Sequence, residues 1–186
     1  MPTYLLDAGV VVLFQRAGEL DQLVHASRLL PMAIVKEVYQ ELTEPQPAKP
    51  ATMARARVTR KLLDGSAIRR LELRVDSPGI AKFVELRGGR KTAHDRGEAA
   101  SIALASEDPE LVFVTADREG ALLALDELDG AAGPRVERLA WFVRRLVEAG
   151  AVTPPCTRTL EPYLRGAGSL PSWWLEWASA LAVPRT

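Results

Sequence analysis

Apolar residues along this chain gather into short runs that alternate with longer amphipathic stretches. "TYLL", ending at Asp7, reads as a short buried strand. "VVVLF" beyond it either prolongs that strand or opens the first helix, and periodicity alone does not separate the two. After a break at Gly18, "ELDQLVHASRLL" carries apolar groups at helical spacing. Pro31 is then expected to start a helix through "PMAIVKEVYQEL", because proline suits a helix N-terminus and Ile34, Val35, Val38 and Leu42 fall on one face. "TEPQPAKP" is a proline-punctuated link, and "ATMARARVTRKLLDG" is a basic helix closed by Gly65.

"AIRRLELRV" alternates only loosely, but Gly65 and "DSPG" bound it, which favours a strand. A helix around "IAKFVELR" and a "RGGRK" loop lead into "HDRGEAASIALA", a small, apolar, helix-forming stretch that begins on acids. "LVFVTAD" is the clearest strand, β-branched and aromatic, and it too terminates in a carboxylate, Asp117. "REGALLALDEL" is helical, "PRVERL" a short edge strand, and "AWFVRRLVEAG" a helix stopped by Gly150. Strands alternating with helices predict an α/β fold, a three-layer α/β/α sandwich around a mainly parallel sheet. Residues 1–150 form that domain in this reading. Residues 151–186 are a proline-rich and Trp-rich extension, a C-terminal helical appendage with exposed aromatics.

With 186 residues, 47% hydrophobic and 26% charged, the chain suits one soluble globular core. No apolar run approaches a membrane span, and the first twenty residues lack the basic start and cleavage site of a secretory signal, so a cytoplasmic protein with no membrane partner is expected. The single cysteine, Cys156, excludes an internal disulfide framework. With only His25 and His94 besides, both read as surface or cap positions, any metal would be held by oxygen. The net charge of zero hides a basic window from Lys49 to Arg96, with thirteen Lys and Arg against five acids, a local +8 that a polyanion would meet first.

In a parallel sheet the strand C-termini share one edge, and ligands bind in the crevice there. Asp7 and Asp117 should therefore meet, and Glu98 and Glu37, each in the early turns of a helix, can face the same crevice. Four carboxylates so placed would raise one another's pKa, and a hard divalent cation, Mg²⁺ or Mn²⁺, resolves the repulsion. The chemistry this points to is metal-assisted phosphodiester hydrolysis.

"YLLDAGVV", "PMAIVKEV", "DRGEAASIALA" and "LVFVTADREG", in this order, resemble the acidic signature of the PIN-domain nucleases, which include the VapC toxins of bacterial toxin-antitoxin pairs. The resemblance covers roughly residues 3–149 and is nearest to a branch of small, poorly characterised PIN proteins. It implies an Mg²⁺- or Mn²⁺-dependent ribonuclease whose metal-binding and catalytic acids are Asp7, Glu37, Glu98 and Asp117. It also implies RNA as substrate, a homodimer, and a cognate antitoxin if the chain is a toxin. Thr115 matches the hydroxyl residue that orients the site. The chain departs from the family at Ala8 and Gly9, where a hydroxyl residue and an asparagine are common, and at Glu98, where aspartate is usual.

Glu41 rivals Glu37 from one turn along the same helix, and the distance from Pro31 favours Glu37. Asp95 reads as the cap of the helix on which Glu98 serves the site, and Glu119 as a first-turn residue able to join a second metal. Arg96, Arg118 and Lys91 are candidate phosphate contacts. Trp141 is assigned to the core and Trp173, Trp174 and Trp177 to an interface. A phosphotransferase with Asp7 as nucleophile would want a second aspartate where Gly9 stands. The rival of another class is a catalytically silent PIN-like module that binds RNA or a protein.

Overall fold

The computed structural model describes residues 1–44, 49–88, 96–128, 135–168 and 170–181. Strand β1 (Thr3–Leu6) is buried along its whole length and passes directly into α1 (Ala8–Arg16) and then α2 (Leu20–Ala26). "VVVLF" thus belongs to a helix, with Val10, Val11, Leu13 and Phe14 turned into the core.

The stretch from Pro31 departs from the single helix expected of it. Met32–Val35 forms β2, and helix α3 runs only from Lys36 to Thr43. All four β2 residues are buried between β1 and β3 (Arg69–Leu71), so its backbone groups pair on both sides. Ile34 and Val35 fit an apolar stripe on a helix equally well, and a four-residue buried run carries no periodicity to decide between the two.

The remaining elements follow the pattern read above. Helix α4 (Pro50–Asp64) has proline at its first position. After β3 come α5 (Pro78–Gly88), α6 (Arg96–Glu107), β4 (Leu111–Thr115), α7 (Arg118–Leu128), β5 (Val136–Arg138) and α8 (Leu139–Glu148). The five strands are all parallel, in the order β3-β2-β1-β4-β5. The chain winds outward one way from β1 to β3 and the other way from β4 to β5. The reversal falls between β1 and β4, where Leu6 lies beside Val114.

Side chains alternate across the sheet. Tyr4 faces α8, its ring 5.2 Å from that of Phe142, whereas Thr3, Leu5 and Asp7 take the opposite face, where α6 crosses β1, β2 and β4. Helices therefore cover both faces and make the three layers. The same hydrophobic core takes in α9 (Pro155–Gly166), which lies against α1 and α8 through Cys156, Leu160 and Leu164, and α10 (Trp174–Ala180).

Two expectations for the tryptophans are reversed. Trp174 is fully buried, while Trp141 is 47% exposed and stacks against Trp173 at 4.5 Å. The cause is that the tail folds back: Trp174 fills the core from α10, and the outer side of α8 is left to Trp141. No described helix is long and apolar enough to cross a membrane.

Candidate active site

Because β1 and β4 are neighbours in a parallel sheet, their C-terminal residues leave the same edge side by side. Asp7 closes β1 in an extended conformation and is the N-cap of α1, and Asp117 follows β4 by two residues. Thr115 joins them. Its hydroxyl donates to Asp7 Oδ2 at 3.3 Å and accepts the Asp117 backbone N–H at 3.1 Å. Asp117 in turn caps α7 by accepting the Gly120 N–H at 2.6 Å. The hydroxyl expected to orient the site is thus the bridge across the point where the sheet reverses.

Glycines shape the crevice. A Cβ on Gly120 would stand 3.0 Å from the Glu98 carboxylate, and a Cβ on Gly9 would stand 3.3 Å from Asp7 Oδ2. The bare backbone at Gly9 gives the Asp7 carboxylate its place against α1. A Cβ on Gly97 would come within 2.7 Å of Val38 Cγ2 and 3.4 Å of Glu41 Oε2, so the start of α6 lies close against α3 and carries Glu98 towards Asp7.

The electrostatics report the same convergence. Burial and the nearby charge of Glu98 push the Asp7 carboxyl up to about 7. The Ala8 N–H pulls it down, Glu41 pushes it up again, and the Thr115 hydroxyl pulls it down.

The structure therefore brings Asp7, Glu98, Glu41 and Thr115 together, with Asp117 linked through Thr115. Glu37 lies in the first turn of α3, 4.0 Å from the Arg96 guanidinium, and its Oε2 is buried with no hydrogen-bond partner. Sequence spacing favoured Glu37 over Glu41 by reference to Pro31. With the helix starting at Lys36 instead, that reference point is gone, and of the two α3 glutamates it is Glu41 whose charge acts on Asp7.

Glu119 is exposed, as is Arg118, which has no ionic partner among the described residues. His25 ends α2 near Lys61, away from the acids. Asp95, Lys91 and His94 lie outside the described residues. In the basic window Arg60, Arg70, Arg74, Lys82 and Arg96 are paired with acids. Arg55, Arg57 and Lys61, all on α4, have no acidic partner among the described residues, and Arg69 on β3 bonds to the Thr3 hydroxyl instead.

The donors at the crevice are carboxylate and hydroxyl oxygens, the set that hard divalent cations take. An aspartate whose ionisation is suppressed by burial and by its acidic neighbours and a glutamate oxygen with nothing to accept from are both conditions that a cation would relieve. Among the described residues no three acidic, histidine or cysteine side chains are drawn closely enough together to hold a metal ion as they stand. No family model matches the chain, and no match to it is found among curated proteins or solved structures.

Proposed function

We propose that the protein is a metal-dependent endoribonuclease of PIN type. The observation that carries this reading is the convergence of Glu98 and Glu41 on Asp7, with Asp117 linked to Asp7 through Thr115, at the point where a parallel sheet reverses its winding. That place is where α/β folds bind ligands, and pure structure gives no reason to spend it on mutually repelling acids.

Asp7, Glu98, Asp117 and Glu41 would hold Mg²⁺ or Mn²⁺, with Glu37 at the rim of the crevice. When bound, such an ion makes water more acidic and offsets the charge that builds on phosphorus during hydrolysis. The chain's own contributions are separate. Thr115 fixes the relative positions of the two aspartates, and Gly120 leaves the space that Glu98 occupies. Asp7, whose carboxyl is pushed up to about 7 by burial and by Glu98, would give up its proton on becoming a ligand. Arg118 and Arg96, exposed beside the acids, are placed to meet the phosphates of RNA.

The test is cleavage of a mixed RNA pool by purified protein with Mn²⁺, Mg²⁺ or EDTA, beside Asp7→Asn and Asp117→Asn. Cutting that needs the metal and is lost in both variants is the expected result. Equal cutting by wild type and variants would overturn it, and tight Mn²⁺ binding without cutting would move the assignment to a silent RNA- or protein-binding module. Glu37→Gln and Glu41→Gln in the same assay rank the two glutamates, and the larger loss is expected at Glu41.

A further inference from the structure

Helix α3 has a second polar side. Glu37 and Glu41 are one turn apart, and Lys36 and Gln40 form another such pair, displaced around the helix towards β3. Beside Lys36, Tyr39 and Gln40 lie Arg70 and Glu72 at the C-terminal end of β3, and together they line a hollow of about 320 Å³. This is the lower end of the volume range of small-molecule sites.

The hollow has a built floor. The Arg70 guanidinium lies 4.0 Å above the Tyr39 ring. Asp64 holds both, accepting the Tyr39 hydroxyl at 2.8 Å and pairing with Arg70. One planar face of Arg70 is thus occupied by an aromatic ring while its side chain stays 50% exposed. A guanidinium fixed in this way is a stacking surface whose ordering cost is already met in the free protein.

Beside it, the Gln40 amide has no partner among the described residues and offers a donor and an acceptor together. Lys36 and Glu72 pair at the margin, so the hollow carries little net charge and favours a planar, polar-edged group over a bare anion.

The hollow and the acidic crevice share one edge of the sheet. β3 is two strands from β1, which at strand spacing is about 10 Å. Between them stands the first turn of α3, whose N-cap, Val35, supplies no side-chain hydrogen bond to the first N–H groups of the helix. Such a turn suits a phosphate in transit.

We infer that this hollow is a nucleobase subsite: one base of a single-stranded RNA, a short way along the strand from the scissile phosphate, stacks on the Arg70–Tyr39 pair and is read at its edge by Gln40. The inference rests on the nuclease reading and names residues that would set its sequence preference.

The experiment uses full-length Asp7→Asn protein in EDTA, so that RNA binds without being cut, and fluorescence anisotropy with short labelled homopolymers of A, C, G and U. Arg70→Ala in this background is expected to weaken binding of the preferred homopolymer about 5- to 100-fold, the range for loss of one stacked base. Gln40→Ala is expected to flatten the preference among the four while leaving the salt dependence unchanged, because it touches no phosphate. Both side chains lie at the surface, and thermal melts check that the variants stay folded; Gln40→Ala alone suffices if Arg70→Ala does not. RNA binding with an unaltered preference in both variants would overturn the subsite and leave the nuclease reading standing. No binding of any homopolymer, together with no cleavage by wild type, would overturn both.

Discussion

Replacing Asp7 with asparagine should make the metal-free protein more stable at neutral and alkaline pH. The folded protein keeps the Asp7 proton up to about 7, whereas the unfolded chain releases it near the ordinary 3.8. Between those values the folded state holds a proton that the unfolded state lacks, so the stability contributed by Asp7 is full below about 4, falls as the pH rises, and is gone above about 7. About three pH units at about 1.4 kcal/mol each set a ceiling of about 4 kcal/mol on the cost of ionised Asp7. Asparagine has nearly the same shape, keeps an oxygen for the Thr115 hydroxyl, and never ionises. The gain expected at pH 8 is roughly 2–4 kcal/mol, or about 5–15 °C in Tm for a chain of this length.

The assay is thermal unfolding of both proteins in EDTA from pH 5 to pH 8, followed by circular dichroism. The quantity read is the difference in Tm between variant and wild type, since the other titrating groups are common to both. That difference should already be about a third of its full size at pH 5, grow up to about pH 7 and then level off. A constant difference, or a variant less stable than wild type at pH 8, would refute the account: Asp7 would then be ionised without penalty, and the crevice would not be the site of charge repulsion described here.

Gly120→Ala should displace the Glu98 carboxylate, since the added Cβ would stand 3.0 Å from it, and lower kcat/KM on RNA about 10- to 100-fold with Tm nearly unchanged, because a flexible side chain absorbs the clash. Gly97→Ala meets Val38 Cγ2 at 2.7 Å in the α3–α6 contact and should cost about 1–3 kcal/mol in urea unfolding. Trp174→Ala, which empties a fully buried site in α10, should cost about 3–5 kcal/mol, and a loss under about 1 kcal/mol would mean that the tail does not share the core.

The alternation of strands and helices was legible in the sequence because most strands end on marked punctuation, and the acids Asp7, Glu98 and Asp117 could be placed from that alone. Thr115, the last residue of β4, was marked only by the family resemblance. The missing element was β2. "MAIV" is buried on both faces of the sheet, so it has no polar alternation to identify it, and the proline before it fits a strand entry as well as a helix start. The place of Trp174 was illegible for a different reason. Whether a tail helix packs or projects depends on the space the rest of the fold leaves for it, and no local pattern encodes that.

The missed strand and the shifted glutamate share one cause. A helix counted from Pro31 puts Glu37 in its second turn and Glu41 in its third. A helix counted from Lys36 puts Glu37 at the mouth, beside Arg96, and Glu41 one turn inward, near Gly97 and acting on Asp7. The same displacement sets the other side of the helix. Lys36 becomes the first helical residue next to uncapped N–H groups, and Gln40 comes to lie beside Arg70. The four residues of β2 thus decide both which glutamate repels Asp7 and which side chains line the neighbouring hollow. If the cleavage assay ranked Glu37 above Glu41 while Gln40→Ala left base preference intact, the register of α3 would be the common element to reconsider, since both assignments depend on it.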